Sequence, residues 1–176
     1  MTASLVAPYN RYLYVMGAPA RAPCYMFRVR RDDPAWPASS SAATTAVMLG
    51  NTWRDTKPEA VVRSILHKRG RRFRKRLTIR LAHRRWTQPD IVFVREKLAV
   101  FVDGCFWHCC PEHGTTPRAN SPYWSAKLQR NVTRDRDTDS RLTESGWRVL
   151  RAWEHESPDE VADRVDEALG RSHNAR

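Results

Sequence analysis

Between residues 105 and 113 the chain carries three cysteines and two histidines in the run Cys105-Phe-Trp-His108-Cys109-Cys110-Pro-Glu-His113. Three thiols within six residues make a poor disulfide framework but a dense metal site. Structural Zn²⁺ takes four Cys or His ligands. Cys105, Cys110 and His113 have a C-x₄-C-x₂-H spacing that closes on one ion. His155, at the end of the later run Trp147–Trp153, supplies a fourth ligand, and Cys109 is spare. The plain alternative is a set of reduced buried thiols beside unrelated histidines. Cys24 stands alone, far from the cluster.

The residues around the cluster predict a small α/β fold. Ile91–Val94 and Leu98–Val102 are short apolar, β-branched runs separated by Arg95-Glu-Lys97, which reads as a β-hairpin with buried strands. Thr56-Lys-Pro-Glu59 is a capping box opening a helix with Val62, Ile65 and Leu66 inward, stopped by Gly70. Ser121-Pro122 opens a long helix that Gly146 stops, with Ser as cap and Pro at the first position. Its stripe is Trp124, Leu128, Val132, Asp135, Asp139 and Leu142. Trp147–Trp153 is a third strand. Ser157-Pro-Asp-Glu160 caps a last helix with Val161, Val165, Ala168 and Leu169 inward, ended by Gly170. Helix, strand, strand, helix, strand, helix implies a mixed sheet between helices.

Acids sit where this pattern brings strand ends together. Asp90 enters the first hairpin strand and Asp103 leaves the second. Hard cations such as Mg²⁺ take oxygen ligands of this kind, and such an ion polarises a phosphate and activates water. Asp90 alone, after Pro89, reads equally well as a turn residue. Asn131 and Asp135 lie one helical turn apart, and Asp135 occupies a place where an apolar residue is expected. It is suited to accept a bond from a catalytic histidine, to hold a metal-bound water, or to pair with Arg134 or Arg151.

Charge names the partner class. Net charge is +12. Residues 57–86 hold 12 Lys and Arg against one acid, whereas residues 87–176 hold 13 against 15 acids. One end is therefore a phosphate-binding surface, with Arg72, Arg74 and Arg76 at its centre; so many like charges repel one another without a polyanion. Residues 1–46, rich in Ala, Pro and Ser, read as a disordered or loosely attached extension, residues 47–170 as one domain, and 171–176 as a tail. No apolar run approaches a membrane span and no secretory signal is evident, so the expectation is a cytoplasmic, DNA-associated monomer.

At these positions the chain resembles the very-short-patch-repair DNA mismatch endonucleases. The shared residues are Thr56-Lys-Pro-Glu59, Pro89-Asp90-Ile-Val, Gly104-Cys-Phe-Trp-His108, Tyr123-Trp124, Lys127, Asn131, Arg134-Asp135 and Gly146-Trp-Arg-Val with Trp153-Glu154, in that order. The resemblance spans about Val47 to His155. It implies a restriction-endonuclease-like, PD-(D/E)XK-type fold with a structural zinc site, Mg²⁺ at the scission site, and nicking 5′ to the thymine of a T·G mismatch left by deaminated 5-methylcytosine. It implies that Asp90 is the Mg²⁺ carboxylate, His108 the catalytic histidine, Asp135 its orienting partner and Glu59 a supporting acid. It implies that Cys105, Cys110, His113 and His155 hold zinc, that Phe106, Trp107 and Trp124 wedge into the base stack, and that Asn131 lies at the DNA. Mismatch-repair proteins are the implied partners besides double-stranded DNA.

Two positions depart from the family pattern. Asp103 stands where a second histidine is common, and His155 where cysteine is usual. Asp103 is expected to share the Mg²⁺ with Asp90. No lysine follows Asp103 at the place where restriction nucleases often put one, so His108 is the expected base; an imidazole titrates near neutrality. Two rival readings stand beside the mismatch-nicking one. The first is a restriction or defence nuclease of the same fold without mismatch preference. The second is a zinc-containing DNA-binding module that does not cut, against which the clustered acids argue, because they repel phosphate.

Overall fold

The computed structural model describes residues 41, 42, 46, 55–83 and 85–173, with side chains to residue 170. Apart from residues 41, 42 and 46, the extension expected over 1–46 lies outside the described residues, as do Val47 and Cys24. The elements are α1 (Lys57–Lys68), β1 (Arg74–Lys75), β2 (Ile79–Arg80), β3 (Trp86–Thr87), β4 (Ile91–Phe93), β5 (Leu98–Asp103), α2 (Ser121–Glu144), β6 (Arg148–Trp153) and α3 (Pro158–His173). The main sheet has the order β1-β4-β5-β6: β1 and β4 are antiparallel, β4 and β5 are the expected hairpin, and β6 runs parallel to β5.

Alternation along the strands sends side chains to two helical layers. Ile91, Phe93, Leu98 and Val100 face one way, into a core with Val62 and Leu66 of α1 and Val161, Ala162, Val165 and Leu169 of α3. Val92 and Ala99 face the other way, against Leu142 of α2 and Ile79 and Leu81 of the β2–β3 ribbon, with Phe101, Trp147 and Val149 packed alongside. A sheet apolar on both faces must be covered on both. The same parity places Asp103, Arg151 and the long helix α2 on one side.

Two of the three glycine stops act as expected. Gly70 and Gly146 both adopt left-handed φ, +73° and +77°. At Gly70, Arg71 N–H donates to Leu66 O and Gly70 N–H to His67 O; at Gly146, Trp147 N–H donates to Leu142 O and Gly146 N–H to Thr143 O. Each is the double bond of a Schellman end. Gly170 does not adopt left-handed φ, and α3 continues to His173.

Other local expectations change. Thr56 makes no capping bond; its hydroxyl donates to the Glu59 carboxylate, 2.8 Å. The capping box is therefore not closed, because Glu59 is turned inward toward Arg63. The residue before α2 is Asn120, in a left-handed conformation, and Ser121 is already helical. Val94 is exposed in the turn rather than buried in β4. The stretch 71–85, read only as basic, contains β1 and β2 and two core residues, Ile79 and Leu81.

Candidate active site

Asp90 lies at the mouth of the hairpin. Its backbone N–H donates to Val100 O, and its carboxylate accepts from Val102 N–H at 2.8 Å. That bond pins the side chain beside the end of β5, where Asp103 leaves the strand. Burial pushes the Asp90 carboxyl up to about 7, and the negative charges of Glu59 and Asp103 add to the shift, against the hydrogen bond from Val102 and the charge of Arg63. Glu59 comes from the first turn of α1, is 5% exposed, and accepts from Arg63 at 3.1 Å. Three carboxylates, from α1, the residue before β4 and the end of β5, thus come near one another, Glu59 and Asp103 buried and Asp90 partly so. Such a set is unfavourable by itself and suits a hard cation.

Asp103 is 7% exposed and already partnered. Both its oxygens accept from Arg151 Nη1, at 2.8 and 2.9 Å. Arg151 also binds Asp139 of α2 and stacks on Phe101 at 4.4 Å. Burial works against charge on Arg151, but Asp103 and Asp139 outweigh it and raise its pKa. Asp103 is therefore shared with an arginine, which weakens it as a cation ligand relative to Asp90.

His108 meets α2. Its Nδ1 lies 2.6 Å from Asp135 Oδ2 and 3.6 Å from Asp103 Oδ1. Burial pushes the Asp135 carboxyl up, but the bond and charge of His108, then Arg151 and Arg134, outweigh it and hold the pKa low. An ionised Asp135 accepting from Nδ1–H leaves Nε2 as the ring nitrogen open to proton exchange. Asp135 thus has its three protein partners at once: His108, Arg134 at 3.2 Å and Arg151 at 3.9 Å.

The loop after Asp103 gathers the sulfur and imidazole ligands. Cys105, Cys110, His113 and His155 offer ligand atoms all within 4.8 Å of one another. Cys105 Sγ is 3.0 Å and Cys110 Sγ 3.7 Å from His155 Nδ1. A tetrahedral ion with bonds of ~2.0–2.3 Å sets its ligand atoms about 3.3–3.8 Å apart. The two sulfurs and two imidazoles therefore fit one small soft cation. Burial, then the neighbouring Cys110 thiol, push Cys105 up to about 11, so a metal must displace a proton there. Gly114 is confined: its N–H donates to Cys110 O at 2.8 Å, and a Cβ would lie 2.4 Å from that oxygen. Cys109 is exposed and is not one of the four.

Phe106, Trp107 and Trp124 come together, with centroids 5.0–6.1 Å apart, and Lys127 Nζ lies over Trp107 and Trp124. Trp124 is only 7% exposed, so it backs the two loop rings. Asn131 donates to Trp107 O at 3.0 Å, which gives it a loop-holding contact. Arg72 and Arg74 are exposed, while Arg76 donates to Gln88. Part of the basic segment is internal: Arg63 binds Asp55 and Glu59, and Arg69 and Arg71 bind Asp163 and Asp166 of α3.

Several supporting residues were missed by sequence reasoning. Glu154 accepts from Cys105 N–H at 2.7 Å and Glu156 from Trp153 N–H at 2.7 Å. Arg151 and Arg63 were not picked out as site residues. Glu154 and Arg151 meet partners 49 and 48 residues away, Cys105 and Asp103, which no local pattern signals, although Arg151 was a candidate partner for Asp135. Arg63 pairs locally, with Glu59 one helical turn back and with Asp55, a spacing that could have found it.

Residues 39–112 match the family model described as DNA mismatch endonuclease Vsr. The chain is 52% identical over 132 residues to the Type II nicking enzyme V.NaeI of Lentzea aerocolonigenes, covering 74% of this chain and 80% of that protein. It is 40% identical to the Type II nicking enzyme V.XorIIP of Xanthomonas oryzae pv. oryzae, over 60% of this chain and 75% of that protein. It is 41% identical to the DNA mismatch endonuclease Vsr of Escherichia coli over 71 residues, 38% of this chain and 44% of that protein.

Proposed function

The chain belongs to the Vsr DNA mismatch endonuclease family and is a DNA endonuclease, and from that premise we propose that it nicks one strand at T·G mismatches with Mg²⁺ as cofactor. The observation that supports the reading is the His108–Asp135 pair lying 3.6 Å from Asp103, whose charge, with that of Glu59, also acts on the buried Asp90. Asp90, with Glu59 beside it, would hold the Mg²⁺, and Asp103 contributes less because Arg151 shares it. Such an ion supplies charge neutralisation at the phosphate and a more acidic water.

The chain's own groups supply the rest. Asp135 fixes the His108 tautomer, with Nδ1–H donating and Nε2 bare. Nε2 takes a proton from the water whose oxygen bonds to phosphorus, and the phosphorus–oxygen bond to the leaving sugar breaks, the sugar oxygen keeping the bonding pair and taking a proton from solvent. Phe106 and Trp107, backed by Trp124, wedge into the stack. Unstacking is easiest where a pair is already mismatched, which ties the wedge to mismatch preference. Incubating matched T·A and mismatched T·G duplexes with the protein and Mg²⁺ tests the reading: faster nicking of T·G supports it, and equal rates overturn it. The same assay separates this reading from the rival nuclease without mismatch preference.

We further propose that Cys105, Cys110, His113 and His155 hold one structural zinc. Metal analysis is expected to find about one zinc per chain, with Cys109→Ser retaining it and Cys110→Ser losing it. Gly114→Ala is expected to reduce zinc content as well, because its methyl group displaces the Cys110 backbone. Folded, freshly purified protein without zinc would defeat this assignment.

DNA affinity is expected to fall steeply with salt, because every phosphate that a cation neutralises adds about 0.9 to the log–log slope. Charge reversal at Arg72 and Arg74, which are exposed, is expected to weaken matched and mismatched duplexes alike and to make that slope shallower. Titrations from low to high salt check this; a change in mismatch preference at constant affinity contradicts it.

A further inference from the structure

The two-stranded ribbon of β2 and β3 takes no part in the carboxylate, histidine or sulfur clusters. Its inner face is anchored: Ile79 and Leu81 are buried against Val92, Ala99 and Leu142. Ile79 pairs with Thr87 and Arg80 with Trp86, so alternation turns Arg80 and Trp86 to the opposite, outer face. Both are exposed, Trp86 at 46%. Toward the site, Gln88 Nε2 donates to Thr78 Oγ1 at 2.8 Å, bridging the start of β2 to the chain that leaves β3. Arg80, Trp86, Thr78 and Gln88 thus form a cationic, amide-bearing and aromatic strip on a rigid support.

The strip leads straight to the scission carboxylate. Gln88 precedes Asp90 by two residues, about 7 Å of chain at ~3.5 Å per residue. Arg80 and Trp86 lie about 7 Å farther along the ribbon, at ~3.4 Å per residue. DNA phosphates are spaced ~3.4 Å along each strand, so the strip covers about four base pairs on one side of the nick. A surface that only neutralises phosphates needs cations; it has no use for an exposed indole and an amide. The major groove, about 12 Å wide, admits a two-stranded ribbon, and its base edges are read by arginine and glutamine.

Resting on the DNA-nicking reading of the site, we propose that the β2–β3 ribbon enters the major groove beside the nick and reads the flanking base pairs, with Arg80 on base edges, Trp86 against them, and Gln88, held in place by Thr78 and Arg76, offering its second amide N–H. Charge complementarity with duplex DNA and the continuity of the strip with Asp90 commit the surface to this partner.

The test separates reading from mere attraction. Full-length Asp90→Asn protein, which binds without cutting, is used to select from two duplex pools randomised over the flanking base pairs, one around T·G and one around T·A. The bound fraction is sequenced. Arg80→Ala in that background is expected to flatten base preference on one side by about 10–100-fold, leaving the other side unchanged. Arg80→Lys keeps the charge but not the two-pronged geometry, and is expected to lose preference while retaining most affinity. Gln88→Ala is expected to flatten preference nearer the nick. Melting curves and zinc content matching the parent show that each variant is folded. A uniform loss across the pool with unchanged preference, or a parent protein with no flanking preference, overturns the proposal. Failure of the mismatch reading appears separately, as equal recovery of the T·G and T·A pools by the parent.

Discussion

Replacing Asp90 by Asn is expected to abolish nicking and to make the metal-free protein more stable at pH 8. The same carboxylate is responsible for both effects. Burial and the neighbouring acids hold Asp90 at about 7, against an ordinary 3.8. For an acid whose folded pKa is raised, the folded state holds the proton more tightly than the unfolded state. Stability is therefore undiminished below 3.8, falls as pH rises between 3.8 and about 7, and carries the full penalty above that. At ~1.4 kcal/mol per pH unit the gap corresponds to about 4 kcal/mol. Asparagine keeps an oxygen to accept the Val102 N–H and has no charge to bury. In chelator at pH 8, Asp90→Asn is expected to melt about 10 °C above the parent, with the difference vanishing toward pH 4. Adding Mg²⁺ is expected to stabilise the parent and not the variant. A variant that melts at or below the parent at pH 8 would remove Asp90 from the centre of the acidic cluster.

The second large effect belongs to His108. His108→Ala is expected to slow single-turnover nicking by about 10²–10⁴-fold, the usual worth of a positioned acid–base group, with DNA affinity little changed. Asp135→Asn keeps an oxygen facing Nδ1 and is expected to cost less, whereas Asp135→Ala, which removes the acceptor, is expected to cost more. An active His108→Ala enzyme with unchanged Mg²⁺ dependence would sink the assignment and return the water-activating role to a carboxylate.

Arg151 shows why the acids were only partly legible beforehand. Asp103 ends a strand beside Asp90, and that placement follows from hairpin register alone. Its arginine partner lies 48 residues away in sequence, on a strand that becomes its neighbour only when β6 pairs parallel to β5. Arg69 and Arg71 make the same point. In sequence they belong to one basic surface, and in the fold they close onto Asp163 and Asp166 of α3.

The amino-acid sequence by itself determined the hairpin, the three helices, the two glycine-terminated ends and the grouping of Cys105, Cys110 and His113, because each rests on a period or spacing spanning a few residues; that His155 joins the three depends on β6 pairing beside β5. The loop residues Cys105, Cys110 and His113 are bound together by short chain length, and apolar alternation sets which way β4 and β5 face. Tertiary structure decided the rest: that Glu59 turns inward to Arg63 instead of capping its helix, that Trp124 backs the aromatic loop, and that Asp103 is held by Arg151. It also made a ribbon of the basic stretch by burying Ile79 and Leu81 against Leu142. Except for the Glu59–Arg63 pair, which lies within one helix, those outcomes depend on pairings across distant segments, and buried charge is tolerated only where a partner arrives.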